Sequence, residues 1–445
     1  MAAIAPAAEQ LRQGVIGPTG ARDTIFALSS GALPAAIAVV RVSGPAAADA
    51  VRALAGKLPR PRRAVRASLH HDGVMLDQAM LLWMPGPGTA TGEDVAEFHV
   101  HGGRTVVRAM MEALTQRPGC RLAEPGEFTR RALENGRIDL AEAEGLADLL
   151  EAETETQRRN ALRLVQGGLG RLIEGWRDVL LDLAAQVEGA IDFDEEIEGS
   201  GGIDRTLLTR LLGEIEEALS RPPAERLRDG VRVVIAGPVN VGKSSLLNAL
   251  AGRDAALATD VPGTTRDLIE VPVVMDGTAY LLIDSAGLRA AQDEVERQGI
   301  DRARQAIVQA DIVLWLGDDS DRPTGDEVVI RVHSRCDLPE RRAMPSCADV
   351  AVSSFTGEGM IALRRILADK AGALLPTPDA LAINSRHRAL LAHVRVALQR
   401  AAGEPQLELV GEDLREARVT LDWVVGHAGV EDMLNNLFAR FCVGK

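Results

Sequence analysis

Two rhythms of apolar and polar positions run along this chain. Up to about residue 118, short apolar runs recur between turn residues. The runs 37–42 (IAVVRV), 78–84 (QAMLLWM) and 97–100 (EFHV) read as strands, closed by Ser43-Gly44-Pro45, Pro85-Gly86-Pro87-Gly88 and His101-Gly102-Gly103. Helical spacing predicts helices over 46–54 and 104–114. The alternation predicts a compact α+β domain. The basic run 60–66 (RPRRAVR) reads as a solvated loop.

From 139 to about 191 the second rhythm takes over, rich in Ala, Leu and Glu. Trp176, Val179, Leu180, Leu183, Val187 and Ile191 fall on one helical face. Acidic 192–198 and glycine-rich 199–202 end it, and a further helix over 206–219 stops at Pro222-Pro223. Helical spacing returns after Pro376 and Pro378. Leu414, Ala417, Leu421, Val424 and Val425 share one face, and Leu434, Leu437, Phe438 and Phe441 another. Between these blocks, residues 229–375 alternate buried-type strands with helices, as an α/β domain does. The economical architecture is one discontinuous helical domain, 136–228 and 376–445, with the α/β domain inserted; two separate helical domains are the alternative. Residues 22–135 form the first domain and 1–21 a loose extension.

Length and charge narrow the class. The 445 residues suit roughly two to four domains of ~150 residues. A net charge of −14 argues against a surface coated for nucleic acid, and 3% aromatic content leaves few platforms for stacking bases. Cys120, Cys336, Cys347 and Cys442 show no C-x-x-C spacing, which fits a reduced, cytoplasmic chain. No signal peptide or membrane span is read.

The chemistry centres on 231–248, VRVVIAGPVNVGKSSLLN. A β-branched strand runs into G-x-x-x-x-G-K-S and then a helix, the context of a phosphate-binding loop. Its backbone N–H groups and the helix N-terminus attract phosphate. Lys243 is expected to pair the β- and γ-phosphates, and the Ser244 hydroxyl to ligate Mg²⁺. Gly263-Thr264-Thr265-Arg266-Asp267 follows, where a threonine can reach Mg²⁺ and the γ-phosphate. Strand 280–283 delivers Asp284-Ser285-Ala286-Gly287. Strand 328–332 leads to Ser334-Arg335-Cys336-Asp337, where GTPases usually carry Asn-Lys-x-Asp. Ser353-Ser354-Phe355 after strand 350–352 matches the loop that backs the base. Guanine is the expected base, with selectivity weakened by Ser334 in place of Asn. Leu288 stands where Ras-like GTPases orient water with glutamine, leaving Arg289, Asp293, Glu294 and Glu296 as candidates.

Further motifs extend the match: Arg41-Val42-Ser43-Gly44, Thr91-Gly92-Glu93-Asp94, Pro125-Gly126-Glu127-Phe128-Thr129, 135–144 (NGRIDLAEAE) and Phe441-Cys442-Val443-Gly444-Lys445. On these residues the chain resembles the MnmE (TrmE) family of tRNA-modification GTPases over 22–445. The resemblance implies an N-terminal tetrahydrofolate-binding domain at 22–135 that dimerises, a helical domain, and an inserted Ras-like G domain. It implies a homodimer working with the flavoprotein MnmG (GidA) on C5 of the wobble uridine of certain tRNAs. The one-carbon donor would be 5-formyl- or 5,10-methylene-tetrahydrofolate. Arg41, Glu97, Arg137 and Lys445 match folate contacts, Arg137 replacing a lysine. Cys442 matches the family's functional cysteine; buried packing beside Phe438 and Phe441 is the plainer reading. Glu296 matches the catalytic glutamate. Asn240, Thr259, Val261 and Thr264 match contacts to K⁺, which the family uses in place of an arginine finger. The implied GTP-binding set is Asn240, Val241, Gly242, Lys243, Ser244, Ser245, Thr259, Asp260, Val261, Pro262, Gly263, Thr264, Thr265, Asp284, Ser285, Ala286, Gly287, Ser334, Arg335, Asp337, Ser353, Ser354 and Phe355, with Ser244 and Thr265 on Mg²⁺. The rival class is a ribosome-assembly or other regulatory switch GTPase without tRNA chemistry.

Overall fold

The computed structural model describes residues 23–192, 203–238, 240–252, 269–284, 305–317, 328–377, 381–426, 437–438, 441 and 444. Its contacts define two compact units. The first is Met1–Ala147, Leu164–Glu174 and Asp422–Lys445, and the second is Asp148–Arg163 and Gly175–Leu421.

The first unit is built on β1 (Thr24–Leu28), β2 (Ala35–Ser43), helix α1 (Ala47–Ala55), β3 (Val65–His71), β4 (Val74–Met84), β5 (Val95–Gly102), α2 (Arg104–Thr115), β6 (Cys120–Leu122) and α3 (Glu127–Glu134). The strands make one sheet in the order β3-β4-β5-β2-β1-β6, antiparallel except for the β1–β6 pair. Period-two alternation turns Ala38, Val40 and Val42 of β2, with Ala96, Phe98 and Val100 of β5, into one core. Leu54 of α1 and Met110 and Leu114 of α2 complete it. Alternation also leaves Arg41 and Glu97 on the other face, cross-strand partners in register. The run 60–66 is not all loop: Val65 and Arg66 already belong to β3. Arg66 carries its charge outward and bonds Gln78.

The Ala- and Leu-rich stretch is three helices, α4 (Leu140–Glu151), α5 (Glu155–Val165) and α6 (Gly168–Asp192). Reciprocal side-chain caps punctuate it. Asp139 accepts from the N–H of Glu142 at 2.6 Å while Glu142 accepts from that of Asp139 at 2.8 Å. Thr154 and Gln157 form the same box at 3.2 and 2.8 Å. Phe438 and Phe441, ring centroids 6.1 Å apart, pack with Leu140, Ala143 and Ala147. The carbonyl of Gly444 accepts from Ser29 Oγ at 2.8 Å, at the end of β1.

In the second unit, α7 (Arg205–Ser220) and α8 (Ala224–Arg228) precede β7 (Val231–Ala236), α9 (Lys243–Ala251), β8 (Ile269–Met275), β9 (Thr278–Asp284), β10 (Ile312–Trp315), β11 (Val328–Ser334), β12 (Val350–Val352) and α10 (Met360–Leu374). The sheet order is β12-β11-β10-β7-β9-β8, parallel except for β8 on β9. Val231, Val233 and Ile235 pack with Leu246 and Leu250 of α9 and Leu363 and Leu367 of α10. Then come α11 (Ser385–Gly403) and α12 (Leu407–Val425). Helices from both sides of the sheet in sequence join. Arg388 of α11 donates to the carbonyls of Leu219 and Arg221 at 2.7 and 2.8 Å, and Trp176 Nε1 of α6 to Glu214 of α7 at 2.9 Å. A discontinuous helical layer interrupted by an α/β domain is therefore the observed arrangement. Trp176, Leu180, Leu183 and Val187 are buried as their spacing predicts, but Ile191 is exposed near the helix end. Among the described residues no helix is long and apolar enough to cross a membrane.

Candidate functional site

The parallel strands β7 and β9 end side by side, which is where an α/β sheet presents its chemistry. After β7 the chain turns through Gly237 at φ +143°, Asn240 at +60° and Gly242 at +104°. Three residues with positive φ between 237 and 242 turn the backbone sharply ahead of α9. Lys243 is buried to 8% exposure, its Nζ donating to the carbonyls of Gly237 and Pro238 at 3.0 and 2.7 Å. Its charge is thus held along the loop that the sequence assigns to phosphate.

Ser244 at the start of α9 donates to Asp284 Oδ2 at 2.6 Å, and Asp284 at the end of β9 is only 2% exposed. The pairing brings together two hard oxygen donors, as Mg²⁺ requires. Thr265, the other expected ligand, lies outside the described residues. So do Thr259, Asp260, Val261, Pro262, Gly263, Thr264, Ser285, Ala286, Gly287 and Glu296. Of the K⁺ set only Asn240 is described, exposed and in the left-handed region.

A second recess beside Gly242 and Ser245 is lined by Ser334, Arg335, Asp337, Leu338, Ser354 and Phe355. It thus gathers every described base-selecting residue of the sequence reading except Ser353. Arg335 takes φ +59°, and its Nε lies 3.5 Å from where a Cβ on Gly242 would stand. Asp337 is exposed in the recess, and Phe355 at 93% is almost fully so. Ser353 is fully buried instead. Its Oγ accepts from the N–H groups of Phe355 and Thr356 at 3.3 and 3.1 Å, so it shapes the loop from below. Ser334 Oγ donates to the Val241 carbonyl at 2.7 Å, and its own carbonyl accepts from Arg341 Nε at 2.9 Å. Arg341 is a supporting residue that no spacing announced. Between these, Cys336 is buried, and burial together with nearby Glu358 and Asp337 pushes its thiol up, away from thiolate chemistry.

In the first unit Arg41 Nε donates to Glu97 at 3.0 Å, and its guanidinium sits 5.7 Å from the centroid of the Phe128 ring. His99 meets the same carboxylate at 3.3 Å. Arg137 is held separately, donating to the Thr89 carbonyl at 3.2 Å. Beside them Arg131, 5% exposed, bonds Glu93 and Glu127. Burial would raise Glu127, but Arg121, the Glu124 N–H and Arg131 hold its carboxyl below the usual range. Phe128 and His99 escaped the site prediction, though Phe128 lies inside a motif already singled out. Cys442 and Lys445 are outside the described residues, and Cys120, Cys336 and Cys347 are free thiols.

Comparison with known proteins matches the MnmE helical domain family over residues 140–442 and the family described as GTP-binding protein TrmE N-terminus over 24–137. The tRNA modification GTPase MnmE of Rhizorhabdus wittichii is 53% identical over 96% of this chain and 97% of its own length. That of Novosphingobium aromaticivorans is 50% identical over 95% of this chain and 100% of its own. Among solved structures, the G domain of the T. maritima FeoB iron transporter is 26% identical. It covers 32% of this chain and 98% of its own, with a TM-score of 0.24.

Proposed function

This chain belongs to the MnmE family of tRNA modification GTPases, and from that premise we propose that it couples GTP hydrolysis to a folate-dependent modification of the tRNA wobble uridine. It is a GTP hydrolase acting in tRNA modification. The observation that carries the mechanism is the 2.6 Å approach of Ser244 to Asp284 beside the buried Lys243. Three groups suited to a Mg²⁺-bound triphosphate thus lie where the start of α9 meets the end of β9.

In this reading the loop N–H groups and Lys243 bind the β- and γ-phosphates, and Ser244 and Thr265 hold Mg²⁺. Asp337 accepts from guanine N1–H and N2–H, with Arg335 along the base plane. Glu296 orients the water that displaces GDP from the γ-phosphoryl group. Asn240, Thr259, Val261 and Thr264 would hold K⁺, which supplies positive charge where the transferring phosphate gains negative charge. Arg41, Glu97, Arg137 and Lys445 would hold the tetrahydrofolate donor, and Phe128 beneath Arg41 fixes the first of them in place. The chain acts as a homodimer with an MnmG-type flavoprotein, adding an aminomethyl or carboxymethylaminomethyl group at C5 of the uridine. Cys442 works near that transfer. The rival, a switch GTPase without tRNA chemistry, has no use for the Arg41–Glu97 pair. Mass spectrometry of wobble uridines from cells lacking this chain tests the reading: loss of the C5 substituent is expected, and an unchanged nucleoside profile would discard it.

A further inference from the structure

We propose that this chain reads guanine without a direct hydrogen bond to its N7, because Ser334 commits its one hydroxyl proton to the phosphate loop. The inference rests on the reading of the Asp337 recess as the base pocket. Ser334 is 3% exposed, so its geometry is set by protein neighbours. Its Oγ gives its proton to the Val241 carbonyl at 2.7 Å, and Arg341 fixes its backbone from behind. N7 of a purine is an acceptor and needs a donor. A hydroxyl has a single proton, whereas an asparagine amide carries two on one nitrogen and can serve the loop carbonyl and N7 together. Arg335, whose Nε stands 3.5 Å from where a Cβ on Gly242 would be, belongs in this proposal along the base plane and so does not supply the missing donor at its edge.

The consequence reverses the expectation drawn from the sequence. Guanine and adenine both carry N7, so the missing bond weakens both alike. Discrimination stays with Asp337, whose carboxylate accepts from guanine N1–H and N2–H but meets an acceptor at N1 of adenine. Serine in this motif therefore lowers affinity and leaves selectivity intact.

Competition against a fluorescent GDP analogue on the full chain tests this. GTP and 7-deaza-GTP are expected to bind within threefold of each other, and ATP at least about a hundredfold more weakly. A 7-deaza penalty of threefold or more in the native chain overturns the proposal, and ATP binding within tenfold of GTP overturns its selectivity half. Ser334→Asn should open the 7-deaza penalty to about tenfold, the scale of one added neutral hydrogen bond. A penalty still below threefold in that variant overturns the reason given. Asp337→Asn separates the underlying reading: it should exchange GTP for XTP, and unchanged GTP affinity would remove Asp337 from the base and the proposal with it.

Discussion

Gln157 donates from its side-chain nitrogen to the carbonyl of Leu227 at 3.0 Å and, with its second proton, to that of Arg228 at 3.1 Å. Its side-chain oxygen accepts from the N–H groups of Glu153 and Thr154, both at 2.8 Å. All four hydrogen-bonding positions of one amide are filled, and the residue is 8% exposed. One turn on, Asn160 accepts from the N–H of Ala382 at 3.0 Å. Leu227 lies just before β7 and Ala382 follows α10, so α5 grips both chain crossings of the nucleotide sheet. The two crossings also meet directly, Ala224 N–H donating to the Ile383 carbonyl at 3.1 Å.

Gln157→Leu keeps the volume but strands the carbonyls of Leu227 and Arg228 and the N–H groups of Glu153 and Thr154, at about 1–3 kcal/mol for each group left both buried and unsatisfied. Hydrogen exchange of residues 224–230 should accelerate and the melting temperature fall. Gln157→Glu should cost more, because it turns a donor into a charge facing the same carbonyls. Unaltered exchange in both variants would show that α5 does not hold the crossing.

Glu127, like Asp77 beside His101, contributes to the acid stability of the first unit. Its folded carboxyl titrates below the ordinary 4.5, so its ionised form stabilises the fold above about pH 4.5. That stabilisation is lost as pH falls through the folded value. Thermal melts between pH 6 and pH 3 should show a decline below about 4.5 that Glu127→Gln flattens.

Glu296→Ala should retain GTP binding and lose turnover by a hundredfold or more, the usual range for removing a positioned acid or base. Exchange of K⁺ for Na⁺ should slow the native chain, whereas Ser244→Ala should weaken dependence on Mg²⁺. Single-turnover hydrolysis in each ion reads both effects.

Gly444→Ala should loosen the contact at β1. Gly444 has φ +107°, and a Cβ there would stand 2.2 Å from the Leu28 carbonyl oxygen. The left-handed backbone alone costs more than about 1 kcal/mol with a side chain present. Limited proteolysis should cut near residue 444 faster than in the native chain.

The nucleotide loop was legible because strand, glycines and helix are contiguous in sequence, and Lys243, Ser244 and Asp284 stand where that order puts them. What was missed depends on partners distant in the chain. Strands β1 and β6 are five and three residues long and pair with each other across 90-odd residues of intervening chain. β3 hid its start in an arginine-rich run, since one face of its sheet keeps charge in water. The breaks around α5 could have been found, because Thr154-x-x-Gln157 and Asp139-x-x-Glu142 are helix-start signatures. Ser334 shows the limit. Its residue type suggested a lost base contact, but only the position of the Val241 carbonyl tells where its proton goes.

The bond from Ser29 to Gly444 joins residues 415 apart in the chain. At ~5–20 residues per second a ribosome needs roughly 20–80 s to travel between them. The end of β1 therefore lacks this partner until residue 444 has been made. Chaperone occupancy on nascent chains of the family should concentrate in that interval, and products released early would lack the contact altogether.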